Sequence, residues 1–372
     1  MMHNNNFRTH KSRVTEKIDK SEIDRRLEEH RKTPNKAKFY NKTLAYNRIV
    51  GRYDGSCYVE CDLREVDFSG SSLRGADFSS SYLGKADLSD CDLRRAKFKD
   101  ADLEGVYFRG SDLRGADFQT AGFNGANLSN KDLTDVNFRG AVFENCNLSG
   151  SDLRGVDFSD AVFENCDLSG ADLRGAVFNK SIMDNVDFRR ANLDGARITG
   201  SSLTTVDMRN AYLNKTIFND NDFMDNMSFD RSKMQEASFV RSDMENVSFE
   251  EADMRGANFS GCVMYLGDMT KADMFGVDFT GAKFLMVNFE ESRLEKANMT
   301  EAVLSGANLK NVVGWDTVIK DSMQEEVVFN KPESEEVKIL RLNLEAKQKA
   351  FDEKVEEVEG FRSEALPDNI FE

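Results

Sequence analysis

A large apolar residue recurs at every fifth position from Tyr58 to Phe223, as in Leu63, Phe68, Leu73, Phe78, Leu83 and Leu88. Two residues before each stands a small one, as in Ala76, Cys91, Ala101, Ser111 and Val136, and Asp or Asn usually lies between them. One extra residue, placed by the pattern in the stretch Met224 to Asn226, shifts the register, which resumes from Phe229 to Leu309 for 51 units in all. A period of five suits neither a helix at about 3.6 residues per turn nor an unbroken strand at about 2. It suits three extended residues and a two-residue corner. In the extended piece the small and large residues share one face while Asp or Asn points away. Gly75, Gly115, Gly155, Gly175 and Gly195 fall in the corner, where a positive φ costs glycine little.

A longer period overlies the short one: residues 141–160 and 161–180 agree at 14 of 20 positions. Four five-residue sides close a square of that length, and stacked squares pair their backbones while burying the apolar positions in one column. Every twentieth residue then aligns like with like: Phe78, Phe98, Phe118, Phe138, Phe158 and Phe178 on one wall, Leu73, Leu93 and Leu113 on the one before. The predicted fold is an all-β solenoid of about 13 coils over residues 51–315, between a basic, partly helical segment 1–50 and an acidic segment 316–372.

Units such as Ala101-Asp102-Leu103 and Ala116-Asp117-Phe118 resemble the signature of the pentapeptide-repeat family, and the resemblance covers about 70% of the chain. It implies a right-handed quadrilateral β-helix. It also implies a role, since similar members are rods that imitate duplex DNA and occupy the DNA-binding saddle of type II topoisomerases, especially DNA gyrase.

Charge divides along the same boundaries. Residues 1–50 hold 13 Lys/Arg against 6 Asp/Glu, residues 51–315 hold 29 against 44, and residues 316–372 hold 8 against 16. All three histidines, His3, His10 and His30, lie in the basic head, so histidine bases and ligands are excluded from the repeat. The sequence has no phosphate-binding lysine loop, paired-cysteine zinc spacing or nucleophile elbow, and flat walls do not converge polar groups; no enzyme activity, cofactor or metal is expected. Five of the six cysteines, Cys61, Cys91, Cys146, Cys166 and Cys262, take the small inward position and read as reduced packing residues; Cys57 faces outward. The polar start lacks the apolar stretch of a secretory signal and no apolar run reaches the roughly 18 residues of a membrane span, so a soluble, cytoplasmic protein is expected.

The walls differ in charge. The Leu73 wall is neutral, with Arg74, Arg94, Arg114, Arg154 and Arg174 beside Asp92, Asp112, Asp132, Asp152 and Asp172, two ladders expected to interdigitate. The Leu83 wall nets −8 and the Leu88 wall −5. On the Leu83 wall Glu144, Glu164 and Asp184 stack, followed by Asp222, Asp225, Asp243 and Glu245, an acidic edge expected to bind a basic partner. The same wall turns apolar at Tyr265, Leu266, Leu285 and Met286. Beyond Trp315 and Pro332, a helix is predicted over 335–359 with Leu340, Leu344 and Phe351 on its apolar stripe. Two arrangements stand open: the helix folds back on that patch, or patch and helix form a homodimer contact, as the C-terminal ends of similar proteins do. A further helix is predicted over 15–32, ending before Pro34. The basic head is read as a solvated arm or N-terminal cap in preference to a nucleic-acid contact. The leading function is an acidic-edge DNA mimic acting on a DNA-binding protein such as gyrase. The rival is a scaffold that holds protein partners through its terminal helices and apolar patch.

Overall fold

The computed structural model describes residues 42–314, together with Glu16, Lys17 and Arg25. The chain winds as a parallel β-solenoid with four walls. Its hydrogen bonds show why five residues suffice for each side. In the unit Asp92 to Ala96, the Asp92 N–H donates down to Ser71 O (3.0 Å), and the Leu93 and Arg95 N–H groups donate up to Asp112 O (2.9 Å) and Arg114 O (3.2 Å). The Ala96 N–H turns back to Leu93 O (2.9 Å). The fifth donor, Arg94 N–H, is taken by the side chain of Asp92 through Oδ1 (3.3 Å). No backbone donor of the unit is left over. The Asp or Asn of the repeat is therefore an Asx-turn acceptor, seen again where Asp87 caps Ser89 N–H (2.9 Å) and Asn147 caps Ser149 N–H (2.9 Å).

The second corner residue is left-handed throughout. Gly155 and Gly175 have φ of 68° and 70°, and non-glycine residues such as Asp135 (61°) and Lys180 (57°) adopt the same conformation. The repeat prefers glycine at these corners without requiring it.

Inside, identical residues stack. Phe98, Phe118, Phe138, Phe158 and Phe178 lie ring over ring, with successive centroids 4.8, 5.4, 5.4 and 4.9 Å apart. A second ladder, Phe123, Phe143 and Phe163, repeats at 4.9 and 4.8 Å. The leucine column, Leu73, Leu93 and Leu113, has no solvent exposure.

Only the Leu83 wall carries full strands along most of the rod: β3 (Gly122–Asn124), β4 (Val142–Glu144), β5 (Val162–Asp167), β6 (Ile182–Asp187), β7 (Ser202–Thr204), β8 (Phe223–Asp225), β9 (Asp243–Glu245), β10 (Val263–Tyr265), β11 (Lys283–Leu285) and β12 (Val303–Ser305). They form one ten-stranded parallel sheet in chain order. In five of the ten strands Val142, Val162, Ile182, Val263 or Val303 stands where other walls have Asp, and β-branched residues favour the extended chain there. The strand-bearing part spans about nine turns, fewer than the 13 coils expected, and the earlier rungs Asp62, Tyr82 and Asp102 join the same wall through isolated bridges.

Three expectations need correction or extension. First, the helix predicted over 15–32 gives way at Glu16–Lys17 to a strand (β1) paired in parallel with Lys42–Thr43 (β2), while Arg25 within that range is helical. An open solenoid edge presents unpaired backbone groups, which a strand can satisfy and a helix cannot. Second, the core begins before residue 51: buried Leu44 and Ile49 donate their N–H groups to Asp62 O and Asp67 O, both at 2.7 Å. Third, the extra residue is Asp222 and does not lie between Met224 and Asn226. Asn221 keeps the small inward place, its Nδ2 donating to Ile198 O and Phe218 O at 2.9 Å each, while Met224 takes the large one. Phe223 is displaced outward and pairs with Ser202. The rest of the N-terminal segment apart from Arg25, Trp315 and the helix predicted over 335–359 lie outside the described residues.

Two outcomes are expected from this architecture. Phe138→Ala should lower stability by about 3–5 kcal/mol in chemical denaturation, because rings above and below cannot both close the void. Asp87→Ala should cost about 1 kcal/mol while Asp87→Asn stays within a few tenths, since only the acceptor oxygen is needed to cap Ser89 N–H.

Candidate interaction surface

Arg94, Arg114, Arg154 and Arg174 of the neutral wall each fork onto the Asp two residues before them. Arg94 Nε and Nη2 donate to Asp92 Oδ1 and Oδ2 at 2.8 and 2.6 Å, and Arg94 Nε also lies 3.6 Å from Asp112 one rung up. Arg154 repeats the arrangement with Asp152 (2.6 Å) and Asp172 (3.8 Å). The two ladders therefore interdigitate. The same Asp oxygen caps a backbone donor, so the charges on this wall are committed to the turns beneath them.

The Leu83 wall is arranged differently. Sheet register places Asn124, Glu144, Glu164, Asp184, Thr204, Asp225, Glu245, Tyr265, Leu285 and Ser305 in a single outward column. Five of the seven expected acidic residues and two of the expected apolar ones therefore share one line. Asp243 stands in the parallel column, and Asp222 is exposed at the bulge. Leu266 and Met286 occupy the corner, each 44% exposed, with φ of 53° and 59°. Leu340, Leu344 and Phe351 lie outside the described residues.

The parallel column was not anticipated. Val142, Val162, Ile182 and Phe223 point outward beside the acids, with Ser202 among them and Asp243 and Lys283 further along the same column, so the wall carries a short, interrupted apolar stripe along a carboxylate stripe. Its signal was present in the sequence as valine and isoleucine at positions that elsewhere hold Asp. The burial of this wall is also uneven. Outward tyrosines elsewhere on the rod, Tyr82, Tyr107 and Tyr212, are 37%, 59% and 43% exposed, whereas Tyr265 is 9% and Leu285 0% exposed. Asp225 is buried as well, its carboxylate accepting from Asn226 Nδ2 (2.6 Å) and Asn246 Nδ2 (3.3 Å). None of Glu144, Glu164, Asp184, Asp243 and Glu245 is without a partner. Among the described residues no cluster of three or more His, Cys, Asp or Glu has a metal-binding arrangement, and no helix is long and apolar enough to cross a membrane.

A family model described as a pentapeptide repeat region matches residues 52–118 and 116–198, and a second, described as pentapeptide repeats in eight copies, matches 181–220, 228–264 and 268–311. No curated protein matches the chain. Among solved structures, HetL, a pentapeptide repeat protein involved in heterocyst differentiation regulation in the cyanobacterium Nostoc sp. strain PCC 7120, is 17% identical over 84% of this chain and 100% of its own, with a TM-score of 0.25. QnrB1, a plasmid-mediated fluoroquinolone resistance protein, is 18% identical over 52% of this chain and 88% of its own, with a TM-score of 0.25. A pentapeptide repeat protein from the Arabidopsis thaliana thylakoid lumen is 28% identical over 28% of this chain and 64% of its own, with a TM-score of 0.15.

Four carboxylates of the neutral wall and two of the Leu83 wall are shifted in opposite directions. Hydrogen bonds from Arg94, Arg114, Arg154 and Arg174 hold Asp92, Asp112, Asp152 and Asp172 below the usual carboxylate range. On the Leu83 wall, burial pushes Asp102 and Asp225 up. A raised carboxylate opposes folding at pH values above its folded pKa, and that penalty disappears once pH falls below the unfolded value of about 3.9. Asp102 caps Glu104 N–H (3.1 Å), as Asn147 caps Ser149 N–H elsewhere, so asparagine is an adequate replacement. Asp102→Asn should therefore raise the melting temperature at pH 7 and leave it unchanged near pH 3, measured by thermal scans at both pH values.

Proposed function

This chain belongs to the pentapeptide-repeat family, and we propose that it is a binding rod whose negative face engages a basic surface of a DNA-binding protein. The observation that carries this reading is the register of Glu144, Glu164 and Asp184, carboxylates held one rung apart on a flat wall. Like charges at the strand spacing of about 4.8 Å repel one another, so such a column is not explained by the rod's own stability. A basic groove that tracks phosphates would meet similar spacing here. The ten strand rungs of the Leu83 wall and the three bridged rungs before them extend about 60 Å, comparable with about 18 base pairs of duplex.

The charge density restricts the mimicry to one edge. A duplex of that length carries on the order of 35 charges. The repeat nets −15 over residues 51–315, and −13 of it lies on the adjacent Leu83 and Leu88 walls. A type II topoisomerase such as DNA gyrase is the leading target, on the strength of the family resemblance. The six free thiols support a reducing, cytoplasmic setting. Binding in place of catalysis is supported by the flat walls, which spend their polar groups on capping turns.

The test is a supercoiling assay with purified gyrase and a salt titration of the complex. Full-length protein should inhibit or protect the enzyme, with affinity falling at least about ten-fold between 50 and 200 mM salt. Glu144→Gln/Glu164→Gln/Asp184→Asn should weaken that binding and flatten its salt dependence. Supercoiling left untouched at large molar excess removes gyrase as the target. Salt-independent binding to another protein would favour the scaffold reading, with exposed Leu266 and Met286 as its contact.

A further inference from the structure

We propose that Cys146 and Cys166 form an oxidisable pair, which hydrogen peroxide closes into a disulfide across two neighbouring coils. This inference does not rest on the topoisomerase reading. It starts from register. Asp167 N–H donates to Cys146 O (2.9 Å), and Asn147 and Asp167 face each other in parallel, so the two cysteines stand one rung apart in the same inward column. Ala126 lies below them and Val186, the register partner of Cys166, above. Among the described residues no other cysteines are stacked: Cys91 lies between Ser71 and Ser111, and Cys262 between Ser242 and Ala282.

The two side chains are oriented alike. Cys146 Sγ lies 3.2 Å from Glu144 O and Cys166 Sγ 3.2 Å from Glu164 O, so one thiol repeats the other at the rung spacing of about 4.8 Å. Disulfide-linked residues have Cα atoms about 4.4–6.8 Å and Cβ atoms about 3.5–4.5 Å apart. The coils meet the first range as they stand, and a slight tilt of the two Cα–Cβ bonds toward each other meets the second. Hydrogen bonding between the thiols favours charge on one of them. It holds the Cys146 thiol below the ordinary cysteine value against the effect of burial, and the same bond, followed by burial, pushes Cys166 up. Cys146 is the attacking thiol and Cys166 the resolving one.

The Cys146 thiolate attacks one oxygen of the peroxide, the O–O bond breaks, and the departing hydroxide takes up the proton that Cys146 released; Cys146 becomes a sulfenic acid and one water leaves. The Cys166 sulfur then attacks the Cys146 sulfur, the S–O bond breaks, and the departing hydroxide takes the Cys166 proton as a second water. Two thiols and one peroxide thus give one disulfide and two waters. Both side chains belong to the buried core, which favours a small neutral oxidant over a bulky one such as oxidised glutathione. The new bond ties together the coils that carry Glu144 and Glu164, each two residues before its cysteine.

Peroxide treatment of the full-length protein, followed by denaturation and thiol titration, tests the pair. Its six free thiols should fall to four, peptide mapping should join Cys146 to Cys166 with the loss of two hydrogens, and dithiothreitol should restore all six. Closure should be at least about ten-fold faster than oxidation of Cys91 or Cys262, which have no thiol beside them. Cys146→Ala and Cys166→Ala, with alanine filling the inward place as Ala126 does one rung below, should form no link. The Cys166→Ala protein should instead hold a sulfenic acid at Cys146 that dimedone traps. Six thiols remaining after treatment would overturn the proposal. So would Cys146 carried on to a sulfinic acid without a link, or a disulfide that joins other cysteines.

Discussion

The fold depends on one constraint: every backbone N–H in a five-residue unit must find an acceptor although the chain turns a corner in each unit. Three donors go to the coils above and below, and one closes the turn. The remaining donor has no main-chain acceptor in reach and is taken by the Asp or Asn that precedes the large apolar residue. The same cap recurs along the rod wherever Asp or Asn holds that place, as at Asp87, Asp112, Asn147 and Asp172. Where the repeat keeps it, the carboxylate or amide completes the hydrogen bonding of the corner beneath it. Much of the acidity of this protein is consequently architectural.

Stacking turns that local rule into a core. Because each coil contacts only its neighbours, a residue meets its own kind above and below, and a phenylalanine at one rung favours a phenylalanine at the next. The column tolerates interruption where volume is kept: Ile198 sits fully buried between Phe178 and Phe218. It tolerates insertion where polar atoms are satisfied. Asp222 enters the chain, yet Asn221 still fills the small inward place, and its amide bonds two carbonyls that would otherwise face the gap.

Most of this was legible in the sequence because the period is a property of the backbone and appears in every unit. The inward columns, the corner glycines and the paired Arg and Asp ladders all follow from counting in fives. The role of Asp was missed because facing outward and capping a turn place it at the same position in the pattern; only the hydrogen-bond inventory separates them. The insertion was assigned two residues late because Phe223 and Met224 are equally plausible core residues by size. Asn221 decided between them through bonds that periodicity does not encode. At Glu16–Lys17 local helical spacing lost to the demand of the open edge at β2, a long-range effect.

Departures from the repeat are therefore the most informative positions. On the Leu83 wall valine or isoleucine replaces Asp in five of the ten strands, at Val142, Val162, Ile182, Val263 and Val303, and the chain there extends into a ten-stranded sheet. The same replacement puts apolar side chains on the outside, which a solvated rod has no reason to retain. One change thus produces both a flat, regular strand surface and a stripe that needs cover. On the Leu73 wall Asp92, Asp112, Asp152 and Asp172 are each forked by an arginine. On the strand-bearing wall the carboxylates stand one place after the large apolar residue, where the neutral wall has its arginines, so their charge is set apart from the capping position.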